Sequence, residues 1–271
     1  LLFAIREGHA ETVGALLGAG ADINGTARDG TTPLVLAVIN AHYELAGLLL
    51  DAGADPNLPD PRGSILHALA WMRRPGSGRP PLQTGALDSL DLARVLLEAG
   101  AKPNVRIDWR EVPFEVDLGT VRRPPSLSVG RDFLSFVGAT PFYLAAKHAD
   151  ADLMRLLVEY GADSLSSTGQ AITPLMAAAG VGLWFPGESP GTPEEAAASV
   201  EFCLKLGGDA TTVDANGDTA LHGAVIRGSQ PLVRFLVEQG ADLEAVNEKG
   251  WTPLRIARGV FYSNTGKRWP E

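Results

Sequence analysis

The chain is 271 residues long, 45% hydrophobic and 20% charged, with 23 Lys and Arg against 32 Asp and Glu for a formal net charge of −9. That apolar content excludes disorder over the whole length, and the acidic balance works against phosphate backbones, since the candidate basic pair Arg122-Arg123 is too small a patch. One cysteine, Cys203, leaves no intramolecular disulfide and no thiolate set for zinc, and no run of 18 apolar residues marks a membrane span.

In chain order, Leu1-Leu2-Phe3-Ala4-Ile5-Arg6-Glu7 opens in an amphipathic pattern without a signal-peptide layout. A helix end follows at Gly20-Ala21-Asp22. This ending recurs at Gly53-Ala54-Asp55, Gly100-Ala101-Lys102, Gly161-Ala162-Asp163, Gly207-Gly208-Asp209 and Gly240-Ala241-Asp242. The glycines are 33, 47, 61, 46 and 33 residues apart, so the unit is 33 and insertions of 14, 28 and 13 fill the wider gaps. Each glycine supplies the left-handed residue that closes a helix.

A second landmark follows each ending: Thr32-Pro33-Leu34, Ser64-Ile65-Leu66-His67, Thr140-Pro141-Phe142, Thr173-Pro174-Leu175, Thr219-Ala220-Leu221-His222 and Thr252-Pro253-Leu254. A hydroxyl before proline caps a helix whose first turn needs no N–H, so a helix starts at each. In the helix from Thr32 the apolar stripe Leu34, Ala37, Val38 is too short to fold alone. The helix of Glu44-Leu45-Ala46-Gly47-Leu48-Leu49-Leu50 follows after a tight turn, making an antiparallel pair. Polar stretches such as Asp214-Ala215-Asn216-Gly217 and Asn247-Glu248-Lys249-Gly250 predict a reversal or β-hairpin finger between units.

The period, the Thr-Pro-Leu-His-like start and the Gly-Ala-Asp end together resemble the ankyrin repeat over essentially the whole chain. The fold implied is an all-α solenoid of stacked helix-turn-helix units with finger loops, each unit stable only against its neighbours. The reading is one domain, 1–271: a partial repeat at 1–30, repeats from about 31, 64, 138, 171 and 217, and a partial repeat at 250–271. Both ends read as cut inside a repeat, so a piece of a longer polypeptide is expected. The expanded turns and Gly259-Val260-Phe261-Tyr262 are similar to some bacterial ankyrin proteins, which implies a bacterial source.

The insertions fall at about 73–88, 105–137 and 183–193. The first and third lengthen the turn between paired helices and should emerge on one edge, roughly 20 Å apart at about 10 Å per repeat. The third carries Trp184-Phe185. The second extends a finger and holds Trp109, Phe114, Phe133 and Phe136 with Arg106, Arg110, Arg122, Arg123 and Arg131, and alternation in 112–118 permits an edge hairpin. These aromatic residues either pack on their own repeats or anchor a partner.

Titratable groups form no catalytic constellation. His67 and His222 occupy the Thr-Pro-Leu-His slot, and His9 and His42 precede second helices, so capping or inter-repeat bonds account for them. His148 is off-pattern and reads as a surface residue. Asp150, Asp152, Glu194 and Glu195 sit at helix starts, where carboxylates are favourable, and Cys203 reads as a buried small hydrophobe.

The resemblance therefore implies a non-catalytic scaffold that binds a protein partner on the concave surface of fingers and first helices, with no cofactor, metal, nucleic acid or membrane insertion. The residues it places there are Arg28, Asp29, Ile39, Asn40, Trp109, Asn216, Asp218, Ile226, Arg227, Lys249 and Trp251. The alternatives are a regulatory or targeting arm of a larger enzyme, and a small-ligand site at the insertions.

Overall fold

The computed structural model describes residues 1–60, 63–74, 81–108, 136–183 and 190–259. Helices in these residues come in pairs: α1 (Leu2–Arg6) with α2 (Ala10–Gly18), α3 (Pro33–Ile39) with α4 (Tyr43–Asp51), and α5 (Ile65–Arg73) with α6 (Ser89–Glu98). Then come α7 (Pro141–Lys147) with α8 (Ala151–Glu159), α9 (Pro174–Ala179) with α10 (Pro193–Lys205), α11 (Ala220–Arg227) with α12 (Gln230–Glu238), and α13 (Pro253–Ala257). The expected all-α solenoid is the observed one. First helices pack on one another in the order α1, α3, α5, α7, α9, α11, α13, and second helices form a parallel row from α4 to α12.

The first row starts where its caps dictate. The Thr32 hydroxyl accepts from Val35 N–H at 3.1 Å, and Thr140, Thr173 and Thr252 repeat the bond to Tyr143, Met176 and Arg255. Proline at the next position preorganises each turn. The buried faces are small: Ala37, Ala68, Ala145, Ala146, Ala177, Ala178 and Ala224 are all closed to solvent. Second helices present leucines instead, with Leu49, Leu92, Leu96, Leu157, Leu232 and Leu236 in one continuous core. Short, alanine-lined helices approach more closely than leucine-lined ones, so the first row is the inner side of the stack.

The glycines that end the second helices are left-handed as expected, with φ of 90° at Gly20, 95° at Gly53 and 88° at Gly100. A second left-handed slot lies at the finger turn, where Gly30, Gly63, Gly138, Gly217 and Gly250 are matched at one position by Ala171, φ 59°.

Of the two forms anticipated, the fingers among the described residues adopt the tight reversal. Among the described residues they contain turns and two isolated bridges, Asp60 with Gly63 and Val213 with Thr219, and no strand. The reason is local satisfaction of the main chain: Asp29 Oδ1 accepts from Thr31 N–H, Asp214 Oδ1 from Asn216 and Asp218 N–H, and Asn247 Oδ1 from Lys249 and Trp251 N–H. Side-chain acceptors replace the ladder a hairpin would need.

Insertions do not interrupt the stack. Asn24 Oδ1 accepts from Asp55 N–H. Asn57 bonds Gly100 O and Lys102 N, and Asn104 bonds Gly161 O and Asp163 N. This asparagine ladder crosses the 14- and 28-residue excesses as if they were absent, then stops where Leu165 takes the slot. His67 also spans the larger one, its Nε2–H donating to Ala139 O at 3.1 Å while Nδ1 accepts from the Ser64 hydroxyl. Finger tips are tied as well, by Gly169 N–H to Val137 O, Ala215 N–H to Gln170 O and Glu248 N–H to Asn216 O, and this series continues beyond Leu165.

His148, expected at the surface, is buried. It closes α7 where the helix turns under Trp71, its ring 5.0 Å from the indole, and burial holds its pKa at about 4. Cys203 is buried as expected, its thiol pushed up to about 12 by burial.

Candidate interaction surface

The accessible inner side is built from finger tips and the outward positions of first helices. Arg28 and Asp29 are exposed at the tip before α3, while Ile39 and Asn40 are half-buried at its end, where Asn40 Nδ2 donates to Leu36 O at 2.8 Å. Ile226 and Arg227 occupy the equivalent place on α11. Lys249 lies with Nζ 5.3 Å from the centre of the Trp251 ring, and Trp251 O accepts from His222 Nε2–H. Trp109 lies outside the described residues, as do 112–118, Trp184, Phe185 and 260–262.

Two of the anticipated partner residues also hold repeats together. Arg227 donates from Nη2 to Ala178 O at 3.1 Å and from Nε to Ala179 O at 3.4 Å, binding the last carbonyls of α9. Asp218 accepts from Asn247 Nδ2 at 2.8 Å. Asn216, half-buried, takes part through its main chain.

Sequence reasoning missed a cluster in the middle of the inner side. Trp71 on α5 meets Phe136 edge-on, centroids 5.2 Å apart, and Lys147 Nζ lies 5.9 Å from the Phe136 centroid. The neighbouring turn holds two ion pairs. Arg73 grips Asp150 through Nε at 2.7 Å and Nη2 at 3.1 Å, and Asp150 also caps α8 by accepting from Leu153 N–H. Arg74 meets Glu195 at 2.7 Å, and Glu195 accepts from Thr192 N–H in a capping box. Arg74 and the Thr192 amide hold the Glu195 carboxyl down at about 2. At the flanks of the two turn insertions, a long arginine side chain and the N-terminal extension of α10 bring Arg74 and Glu195 into contact.

Among the described residues no group of three or more His, Cys, Asp or Glu is placed to hold a metal, and no helix is long and apolar enough to cross a membrane.

Comparison with known proteins agrees with this architecture. Family models for ankyrin repeats match residues 1–107 and 194–259 as a three-copy unit and 137–168 as a single repeat. The mouse B-cell lymphoma 3 protein homolog is 29% identical over 191 residues, covering 66% of this chain and 39% of the relative. Human protein phosphatase 1 regulatory subunit 27 is 48% identical over 56 residues, covering 21% and 36%. The chain thus spans less than two fifths of the length of these relatives. The solved ankyrin repeat domain of human ASB11 superposes with a TM-score of 0.64 at 22% identity, covering 95% of this chain and 90% of that one. An ankyrin repeat domain from Acinetobacter baumannii AYE gives 0.60 at 21% identity, covering 89% and 97%.

Proposed function

The chain belongs to the ankyrin-repeat family, and from that premise we propose that it is a non-catalytic interaction domain that docks a protein partner on its inner side. Proteins of this family generally mediate protein–protein interactions. The observation that carries the reading is a division of labour among side chains. His67 and His222, with Cys203, are consumed by packing and main-chain bonds, whereas Ile39, Trp71, Phe136, Ile226 and Trp251 recur half-buried along the inner side. Half-buried aromatic and aliphatic groups bordered by charges are what a protein interface requires.

A photo-crosslinking residue at Ile39, Ile226 or Trp251 should capture a discrete protein from cells of the source organism, while the same residue at Arg94 or Glu201 on the second helices should not. Capture only from the outer positions overturns the placement.

A second reading, a regulatory or targeting arm of a larger polypeptide, is favoured by the share of the relatives that the chain spans. The complete reading frame of the parent gene decides it.

A further inference from the structure

Charge on the helices is sorted by row. In α1, α3, α5, α7, α9, α11 and α13 every charged residue is basic: Arg6, Arg73, Lys147, Arg227 and Arg255, with no Asp or Glu. The second helices α2, α4, α6, α8, α10 and α12 hold eleven acidic residues against four basic ones. Helix dipoles account for cations in last turns. The same field favours carboxylates in first turns, and five of the six second helices have them. No first helix does, and in α3, α7 and α9 the Thr-Pro turn is buried. The positions that remain open along the first helices, such as Phe3, Ile39, Trp71, Lys147, Ile226 and Arg227, are apolar or basic.

Compensation differs along this track. The guanidinium groups of Arg73 and Arg74 are neutralised by Asp150 and Glu195. Among the described residues Arg227 meets the carbonyls of Ala178 and Ala179 and no carboxylate, and its Nη1 makes no hydrogen bond there. A half-buried guanidinium with a donor to spare can still donate to a carboxylate. Of the acidic groups on this side, Asp29, Asp218 and Glu248 lie on the fingers and Glu7, at the end of α1, pairs with Arg6 at 2.8 Å, so from α3 onward the basic and apolar track follows the C-terminal ends of the first helices.

From this sorting we infer that the inner side takes an acidic, extended peptide segment of its partner, with a carboxylate on Arg227, another near Lys147, and apolar side chains on Trp71 with Phe136 and on Ile39 and Ile226. The inference rests on the interaction reading above and names the chemistry of the partner. A short peptide feels the inner row locally, because screening over about 8 Å at physiological salt is comparable with the ~10 Å between packed helices. A long polyanion such as nucleic acid would also meet the field of a chain with net charge −9.

The probe is a fluorescein-labelled peptide of alternating Glu and Leu or Phe, compared by anisotropy with its Lys-for-Glu and Ser-for-Glu counterparts. The acidic peptide should bind most tightly and weaken as salt rises from ~20 to ~150 mM. Lys147→Glu should weaken it about tenfold or more, and Arg227→Lys, which keeps charge but loses the fork, by a smaller factor. Lys205→Glu, an exposed outer-row control, should leave affinity within about twofold; unchanged thermal melts verify folding of each variant. Equal or tighter binding of the Lys peptide, no response to Lys147→Glu, or equal displacement by oligothymidylate overturns the inference. If the Lys or Ser peptide wins and still depends on Trp71 and Ile226, only the partner chemistry fails. If no peptide binds and the inner crosslinks capture nothing, the interaction reading fails with it.

Discussion

Arg74 and Glu195 stand 121 residues apart in the chain, and their side chains meet at 2.7 Å. Each flanks a turn insertion, and Asp150, gripped by Arg73, lies in the turn between them. Because the Arg74–Glu195 pair is partly open to solvent, a double-mutant cycle with Arg74→Ala and Glu195→Gln should return a coupling of only about 0.5–1 kcal/mol in denaturant unfolding. The buried pair is different. Asp150→Asn removes a carboxylate that is 2% exposed and leaves Arg73 without its counter-ion, so it should cost about 3 kcal/mol or more. Equal costs at the two sites would contradict this ranking.

Stability should fall as the solution is acidified. Burial holds His67 and His148 at about 4, whereas an unfolded histidine titrates near ~6.5. Between those values the unfolded chain binds more protons, so the contribution is complete above about 6.5 and is lost as pH falls to 4, with an upper limit of roughly 3 kcal/mol per histidine. Glu195, held at about 2, adds a contribution lost at still lower pH. Denaturant midpoints measured from neutral to mildly acidic pH should decline, and His67→Gln should flatten the profile. A midpoint independent of pH over that window would contradict the burial argument.

Ala171→Gly should stabilise the protein. Ala171 is exposed and takes φ 59° in a turn slot where glycine stands in the other described fingers. Left-handed backbone costs an L-residue about 1–2 kcal/mol, and glycine's extra unfolded-state entropy returns about 0.5–1, leaving a net gain of roughly 0.5 kcal/mol. A lower melting temperature for the glycine variant would refute it.

Asn104→Ala should cost about 1–2 kcal/mol, since Gly161 O and Asp163 N–H lose their shared partner. Hydrogen exchange at Asp163 should quicken while amides in α1 stay unchanged. Loss of protection spread evenly over the chain would mean that repeat contacts are not nearest-neighbour.

The repeat was legible because its signals are local: a cap at Thr32 and a left-handed glycine at Gly53 can each be read from a few residues. Burial of His148 was not legible, because it depends on Trp71, one repeat away in a stack whose spacing is obscured by the long insertion. The grip of Arg73 on Asp150 was hidden for the same reason, since Asp150 has a sufficient local explanation as a cap. The inner-row charge sorting was present in the letters, yet it becomes visible only once helices are assigned to rows.

The end of the asparagine ladder at Leu165 has a mechanical consequence. The loops joined by Asn104 are stitched twice, to Gly161 and Asp163 near the ends of the second helices and by Gly169 N–H to Val137 O at the finger tips, whereas from Gln170 to Glu248 the described ties run at the finger tips. Spreading the groove stretches finger-tip stitches and spares the outer ones. A doubly stitched joint therefore resists bending in both directions, and a bulky guest would strain the finger-tip ties first.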